Sequence, residues 1–574
     1  MIENLKVAAV QFEPSMLAKE ANLDALTALV EEAAQAGARL ITVPEMATTG
    51  YCWVDREEVA PFVEVIPGPT TERFAAIARQ YDCHVVVGMP ERDAETDLYY
   101  NSAVLIGPDG VVGVHRKTHP YISEPRWAAS GDRGHQVFAT SIGRIALLIC
   151  MDIHFVETAR LVALDGAEII CHISNWLAER TPAPYWISRA AENGCFLIES
   201  NRWGLERGVQ FSGGSCVIDQ TGTVLASMDH GDGVVIAELV ASPMTLEGPR
   251  APFERRRPDK YLQLMTNPFT WNPLEFFRLY GISPLSPGQR SRVMVAQLRR
   301  HATTSHNLDS IEAVVEKAMA HNKPSLIVFP ELSMSGFEDG TPIPDTVPSA
   351  ATDRLVKLAM RHGVYLVAGM VEAAGEARFN TAILAGPEGL IGTYRKLHLN
   401  DEDLAWASPG DTWRTFDTAI GRIGILIGYD ALFPESARVL ALSGCDLIAC
   451  PSALAGTFTG GHPGSAIRQS RPIPVAADPG HWHHFRVRAG ENNVYLAYAN
   501  RFDPDTGKTG ESGVFGPDTF AFPRRESIVH DDEGTAMLVI DTGNLDTPYP
   551  TNVVRNKDLL KMRLPHHYAP LIKR

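Results

Sequence analysis

No apolar run in the chain approaches the roughly 18 to 20 residues that a helix needs to cross a bilayer. There is no Cys-x-x-Cys pair and no cluster of Cys and His, which removes the usual spacing of a structural zinc site, and no metal or organic cofactor is signalled. The eight cysteines are scattered, several of them in apolar contexts such as IICHI and LIACP. Buried free thiols in a reducing compartment are the simplest account of them. The N-terminal stretch MIENLKVAAVQF carries no h-region and no small-residue cleavage site, so a signal peptide is not expected and a cytoplasmic location is. Positive charge is scarce: 52 Lys and Arg face 68 Asp and Glu, a formal net charge of −16 that repels phosphate backbones and argues against a nucleic-acid partner. With 45% apolar and 21% charged residues, the composition is that of an ordinary globular protein. At 574 residues the chain exceeds what a single core supports, and two to four domains are expected.

What is present is a pattern written twice. The first copy reads VPEMATTGY around Glu45, HRKTHPY around Lys117 and IALLICMD around Cys150. The second reads FPELSMSGF around Glu331, YRKLHLN around Lys396 and GILIGYD, where Gly428 stands in the place of the cysteine. NSAVLIGPDGVVGVHRK matches NTAILAGPEGLIGTYRK, WAASGD matches WASPGD, and even RRPDKY is echoed by MRLPHHY. An ancestral duplication gives two domains, residues 1–264 and 290–574. Residues 265–289, rich in Pro and aromatics, form the linker candidate and are expected to pack on a surface. Within the first copy, strand-like VAAVQF, ARLITVPE, CHVVVGMPE, IGRIALLIC, EIICHIS and FLIESN alternate with helical stretches at 22–36, 70–81, from about 156, and 186–193. Pro-Asp-Gly closes a hairpin at 108–110. Strands alternating with helices predict an α/β protein whose helices cover the sheet faces.

A glutamate, a lysine and a cysteine, each at the end of a short apolar run, supply a base, an oxyanion donor and a nucleophile. Cys150 precedes a turn and a helix, which places it at the C-terminal end of a strand and near a helix N-terminus, where a thiolate is favoured. A carboxylate at the buried end of a strand, as for Glu45, has a raised pKa and exchanges protons readily. Each residue also has an ordinary reading: a core cysteine, a surface glutamate after a proline, a solvated lysine. Their recurrence in the same order in both halves sets them apart.

These residues resemble the nitrilase, or carbon–nitrogen hydrolase, superfamily, through the local patterns PE…G(Y/F), RK.H and C.D…E, once per half of the chain. The resemblance implies two tandem four-layer α-β-β-α sandwiches. Members pair into eight-layer units, so a tandem chain is expected to form that pairing internally as a pseudo-dimer, from which homo-oligomers are built. It implies Glu45 as general base and acid, Cys150 as nucleophile, and Lys117 with the backbone N–H of Met151 as oxyanion donors. A second glutamate seven residues before a loop glycine corresponds to Glu124, with Gly131 closing the pattern. Pocket positions carried over are Tyr51, Trp53, His119, Asn175 and Trp176, with Asn201 and Arg202 at the rim.

Two departures bear on the substrate. Met151-Asp152 replaces the Trp-Glu of cyanide-processing members and favours the amidase-like branches. Ile153-His154-Phe155 replaces an Arg-Phe-Pro or Trp-Phe-Pro, leaving His154 either facing the pocket or hydrogen bonded in a loop. The implied activity is hydrolysis of a C–N bond in a small amide or N-carbamoyl substrate through a thioester. Acyl transfer to an amine, action on nitriles and a non-catalytic binding role are the alternatives. The second half keeps Glu331 and Lys396, with Glu402 or Asp403 at the position of the loop acid, but without a sulfur it reads as a scaffold, with ligand binding as the other reading. The longer segment 461–485 is a candidate cover for that empty site or a reach to a neighbouring chain, and its His481, His483 and His484 raise a metal reading that no ligand spacing supports.

Overall fold

The computed structural model describes residues 4–177, 179–241, 248–269, 281, 283–284, 287–338, 340–464, 478–518, 524–530, 532–543 and 554–573. The chain divides into two compact units. The first comprises Met1–Thr245 together with Gly460–Trp482, and the second Leu246–Thr459 together with His483–Arg574. Most of the proposed linker, including residues 270–280, lies outside the described residues. Among the described residues no helix is long and apolar enough to cross a membrane.

In the first unit the strands are β1 (Leu5–Gln11), β2 (Leu40–Thr42), β3 (His84–Arg92), β4 (Tyr99–Gly107), β5 (Gly110–Arg116), β6 (Val137–Thr140), β7 (Gly143–Ile149), β8 (Ile169–Ser174), β9 (Phe196–Asn201), the small hairpin β10 (Trp203–Glu206) and β11 (Val209–Ser212), then β12 (Cys216–Ile218), β13 (Val224–Ser227) and β14 (Gly233–Leu239). They form two six-stranded sheets of order β14-β1-β2-β3-β4-β5 and β13-β12-β9-β8-β7-β6, with parallel centres and antiparallel edges. Helices α1 (Lys19–Gln35), the short α2 (Arg56–Val59), α3 (Pro69–Tyr81), α4 (Val156–Leu164) and α5 (Pro184–Asn193) complete the set.

β1 shows why four layers result. Ala8 and Val10 pack on one face with Leu23, Leu26 and Val30 of α1 and Phe74 and Ile77 of α3, while Val7 and Ala9, on the other face, are equally buried. A strand apolar on both faces must be covered on both, here by helices outside and by the second sheet inside. α1 starts a turn before the predicted Asn22, and α3 and α5 begin on Pro69 and Pro184, whose fixed φ suits the first helical turn.

The second unit repeats the plan. One sheet runs Gly389–Arg395, Ala377–Gly386, Tyr365–Ala374, Leu326–Val328, Arg290–Gln297 and Gly534–Asp541, and the other Thr415–Thr418, Gly421–Ile425, Leu447–Ser452, Tyr495–Asn500, Gly513–Phe515 and Glu526–Ile528. Val293 and Val295 join the inter-sheet core with Ile423, Ile425 and Ala449, and Met294 and Ala296 join the helix-side core with Leu308, Ile311 and Leu355. This unit also holds the tail of the first repeat: Arg256 Nε lies 2.8 Å from Glu435 Oε1, and Tyr261 Oη 2.6 Å from His398 Nε2.

Candidate active site

The C-terminal ends of the central strands β2, β7 and β8 and of the edge strand β5 converge on one buried cluster in the first unit. Glu45 follows β2 by three residues, Lys117 directly follows β5, Cys150 directly follows β7 and Asn175 directly follows β8. Gly88 on β3 permits this, because a Cβ there would sit under 3.0 Å from the backbone of Pro44, Glu45 and Met46. Glu45, Lys117 and Glu124 are all fully buried or nearly so.

Lys117 Nζ bridges two carboxylates, at 2.7 Å from Glu45 Oε1 and 2.5 Å from Glu124 Oε1. Asn101 Nδ2 donates to Glu45 Oε1 at 2.7 Å, and Tyr51 Oη donates to Glu124 Oε1 at 2.6 Å. The other Glu45 oxygen accepts from the backbone N–H of Asn175 at 2.7 Å, while the Asn175 side chain donates to the Glu45 carbonyl at 2.9 Å. The same Asn175 N–H, bonded to Glu45, also acts on Cys150 and favours its thiolate.

Electrostatics follow from burial. Burial opposes the Lys117 charge, but Glu124 and Glu45 outweigh it and hold the ammonium well above its ordinary range. Burial raises Glu124 to about 7 against the pull of Lys117, and the charge of Glu45 adds to the rise. Cys150 is pushed well above the usual thiol range by burial and by Glu45, with Lys117 and the Asn175 N–H opposing. The resting nucleophile is therefore a thiol, and a thiolate requires proton removal by a neighbour.

Cys150 has φ +45 at the start of a short 3-10 helix, Cys150–His154, and Met151 is the next residue in that turn. This left-handed backbone is strained for a residue with a side chain. Asp152 anchors the turn. It accepts from the backbone N–H groups of Ile149, Thr118 and His119 and contacts His115 Nε2 at 2.9 Å and His119 Nδ1 at 3.1 Å. These partners, His115 foremost, outweigh burial and keep its carboxyl well below the usual range. His119 stacks on Phe155 at 3.8 Å, and its Nε2 has no partner among the described residues.

His154 stacks on Trp176 with ring centroids 4.7 Å apart and lies 4.7 Å from the Tyr185 ring. Burial, then the charge of Arg189, brings it down to about 3, so it is neutral. Trp53 is in the apolar cluster with Met46, Tyr51 and Phe211, its indole N–H donating to Gly50 O at 2.9 Å. Asn201 Oδ1 accepts from Trp176 N–H, and Arg202 is paired with Glu206 Oε2 at 2.5 Å. The structure thus gives Tyr51 and Asn175 direct contacts with the carboxylates, and Arg202 a structural ion pair.

Sequence reasoning missed three contributors. Asn101, on β4, was legible in the repeated NSAV and NTAI. Asp152 was noted as part of the C.D pattern and as a marker of substrate branch, without a structural role. The third is a buried pair beneath the nucleophile: His172 Nε2 donates to the carbonyl oxygen of Cys150 at 3.0 Å, and its Nδ1 contacts Glu199 Oε2. Burial pushes Glu199 up, and the Glu199 charge pushes His172 up against its own burial, so the pair holds a proton jointly. The two are register partners on β8 and β9, ionisable residues at matching places in apolar strands, and that was the available signal. In the second unit the same register holds Cys450 and Tyr498.

Of the long insertion of the second repeat, only the two ends are among the described residues. Its described ends belong to the first unit, where Asp478 Oδ2 pairs with Arg180 Nη1 at 2.8 Å and Trp482 Nε1 donates to Ser188 Oγ on α5 at 2.9 Å. Residues 465–477 lie outside the described residues. The three histidines go to separate partners: His481 to Pro182 O, His483 to Glu511 O and His484 to Arg488 Nη2.

In the second unit Lys396 Nζ bridges Glu331 Oε1 at 2.7 Å and Asp403 Oδ2 at 2.6 Å, and Asn380 Nδ2 donates to Glu331 at 2.6 Å. Asp403 therefore stands where Glu124 does, and Glu402 faces Lys508 instead. Gly428 keeps the left-handed backbone at φ +41, but a Cβ there would fall under 3.0 Å from Glu331 Oε2. The carboxylate fills the space that a cysteine needs.

The family model described as carbon-nitrogen hydrolase matches residues 6–245 and 292–526. A nitrilase of Pyrococcus abyssi is 36% identical over 237 residues, covering 41% of this chain and 89% of the relative. An (R)-stereoselective amidase of a Pseudomonas species is 34% identical over 203 residues, covering 35% and 72%. An omega-amidase of Bos taurus is 27% identical over 272 residues, covering 45% and 96%. Among solved structures, an amidase from a Nesterenkonia species aligns with TM-score 0.38 and 25% identity over 42% of this chain and 92% of its own.

Proposed function

Since this chain belongs to the carbon–nitrogen hydrolase family, we propose that its first unit hydrolyses the C–N bond of a small amide or N-carbamoyl compound through a thioester on Cys150. The observation that carries this reading is the Lys117 ammonium held between two buried carboxylates, with the thiol inside the same field. Glu45 takes the Cys150 proton as the sulfur attacks the carbonyl carbon. Lys117 and the Met151 N–H stabilise the oxyanion. Glu45 then protonates the nitrogen, the C–N bond breaks, and ammonia or an amine leaves. Water gives a proton to Glu45 as its oxygen bonds to the acyl carbon; the C–S bond breaks and the thiolate recovers that proton.

Glu124 and Tyr51 position Lys117 rather than react, and His119, His154, Asn175 and Trp176, with Trp53 behind Tyr51, shape the pocket. An aromatic wall of this kind suits a substrate with a flat or apolar portion. The relatives named as amidases and the Met151-Asp152 pair support an amide over a nitrile.

The test is ammonia release from a panel of small amides, N-carbamoyl compounds and nitriles, with intact-mass detection of an acyl adduct and with added amines or hydroxylamine. Amide turnover that disappears in Cys150→Ala, with an adduct on Cys150, is expected. Turnover of none of the panel, with no adduct and ordinary alkylation of Cys150, would overturn the reading. Product diverted to amides of the added amine would replace hydrolysis by acyl transfer.

A further inference from the structure

The second unit departs from the first at one place where nothing in the hydrolase reading asks for a change. In the first unit, Arg202 after β9 is neutralised by Glu206, while Glu13 and Pro14 follow β1 and Ala47 follows the Glu45 turn. At the corresponding places the second repeat carries Arg501, then Arg299 and Arg300, and Ser333. The counterpart of Glu206 is Asp505, which is exposed. One acid has become a base, a proline has become a second base, and the arginine common to both copies has lost its carboxylate.

These side chains meet. Arg299, Arg300, Arg501 and Ser333 line, with Leu298 and Pro330, a recess whose empty space, including solvent at its mouth, is about 250 Å³. Arg501 is only 5% exposed, and its sole hydrogen bond among the described residues runs from Nη2 to the Glu331 carbonyl at 2.9 Å. Among the described residues no carboxylate lies within ion-pair distance of Arg300 or Arg501. Arg300 lies over the Phe337 ring at 3.4 Å, and Arg299 Nε is 3.9 Å from Glu533. The Ser333 hydroxyl is buried and has no partner among the described residues. Glu331, then Glu402 and Asp503, are the acids whose fields reach Arg501, and Asp503 and Glu402 those that reach Arg300, but none of them lines the recess.

A buried guanidinium facing a recess that no carboxylate lines, with no ion-pair contact among the described residues, is an unfavourable arrangement by itself. Burial, then the charge of Arg300, brings Arg501 down to about 10. Guanidinium forks match oxyanions bidentately, and a hydroxyl adds one further donor. We propose that this recess of the second unit binds a small oxyanion, a phosphate or a carboxylate, between Arg300, Arg501 and the Ser333 hydroxyl. The site is separate from the Gly428 position and requires no chemistry there.

The test uses the full chain at constant ionic strength, titrated with inorganic phosphate and, separately, with acetate against a chloride background, by calorimetry and by melting temperature. Saturable binding of either anion is expected, at least tenfold weaker in Arg300→Gln and in Ser333→Ala. Binding of phosphate alone identifies a tetrahedral ligand, and of acetate alone a planar one. Arg300 is exposed, so its replacement leaves the fold intact even where Arg501→Gln does not. A melting temperature that follows salt regardless of anion, or saturable binding unchanged in Arg300→Gln, overturns the proposal. Loss of amide turnover in Cys150→Ala tests the first unit and leaves this titration unaffected, so the two readings fail independently.

Discussion

Restoring the missing nucleophile is expected to damage the second unit. In Gly428→Ala, the new Cβ falls inside 3.0 Å of Glu331 Oε2, and Glu331 is pinned through its other oxygen by Lys396 at 2.7 Å and Asn380 at 2.6 Å. To reach an ordinary contact the carboxylate must retreat by about 1 Å. That movement stretches charge-assisted hydrogen bonds, and Leu454 Cδ2, 3.7 Å from the same Cβ, limits an opposite shift. Overpacking of this kind costs about 1–3 kcal/mol. The φ of +41 adds strain for any residue with a side chain. For a unit of this size the sum lowers the transition by about 2–10 °C. Gly428→Cys adds a sulfur to the same collision and is expected to show a similar loss and no acylation at 428. Calorimetry of the full chain follows the transition that moves, and intact-mass analysis after amide exposure counts acyl groups. An unchanged melting profile together with a second acyl adduct would refute the argument that Glu331 occupies the space.

Cys150→Ala is expected to abolish ammonia release while shifting the melting temperature by no more than a few degrees, since only a buried sulfur is removed; residual turnover above background would implicate another nucleophile. Asp152→Ala strips a buried carboxylate from two imidazoles and three backbone N–H groups, and is expected to cost about 3–5 kcal/mol, read as a lower urea midpoint. Glu124 titrates near 7 in the folded protein against an ordinary 4.5, so the native state retains a proton that the unfolded chain releases. Its contribution to stability is present below about pH 4.5 and is lost as pH rises through about 7. Glu124→Gln should therefore flatten the fall in melting temperature between about pH 5 and about pH 8, and an unchanged slope would contradict the raised pKa.

Strand and helix alternation was readable because the buried strands are short apolar runs and α1 and α3 repeat their apolar residues at helical spacing. The helix starts were misplaced by up to a turn where Pro69 and Pro184 occupy first-turn positions, and at α1, which begins without a side-chain cap. The motifs flagged Glu45, Lys117 and Glu124, and the structure joins them, because Glu45 and Lys117 follow strands that end at one place and the 3-10 turn Glu124–Arg126 brings Glu124 back onto Lys117. His172 and Glu199 stayed hidden because they meet only across the register of β8 and β9. The home of the insertion 461–485 was equally invisible: its contacts with Arg180 and Ser188 depend on tertiary packing, which local pattern does not encode.

That insertion carries a lesson for how the duplication is maintained. The strand Asp478–His483 braces Ser188 on α5 through Trp482, and Tyr185 of that helix backs the His154 and Trp176 wall, yet the strand is encoded more than two hundred residues downstream, inside the copy where Gly428 replaces the cysteine. The tail from Leu246 makes the reverse trade, leaving the first repeat for the second unit. A gene shortened to one repeat would delete part of the remaining half, so loss of the second copy is not a neutral event.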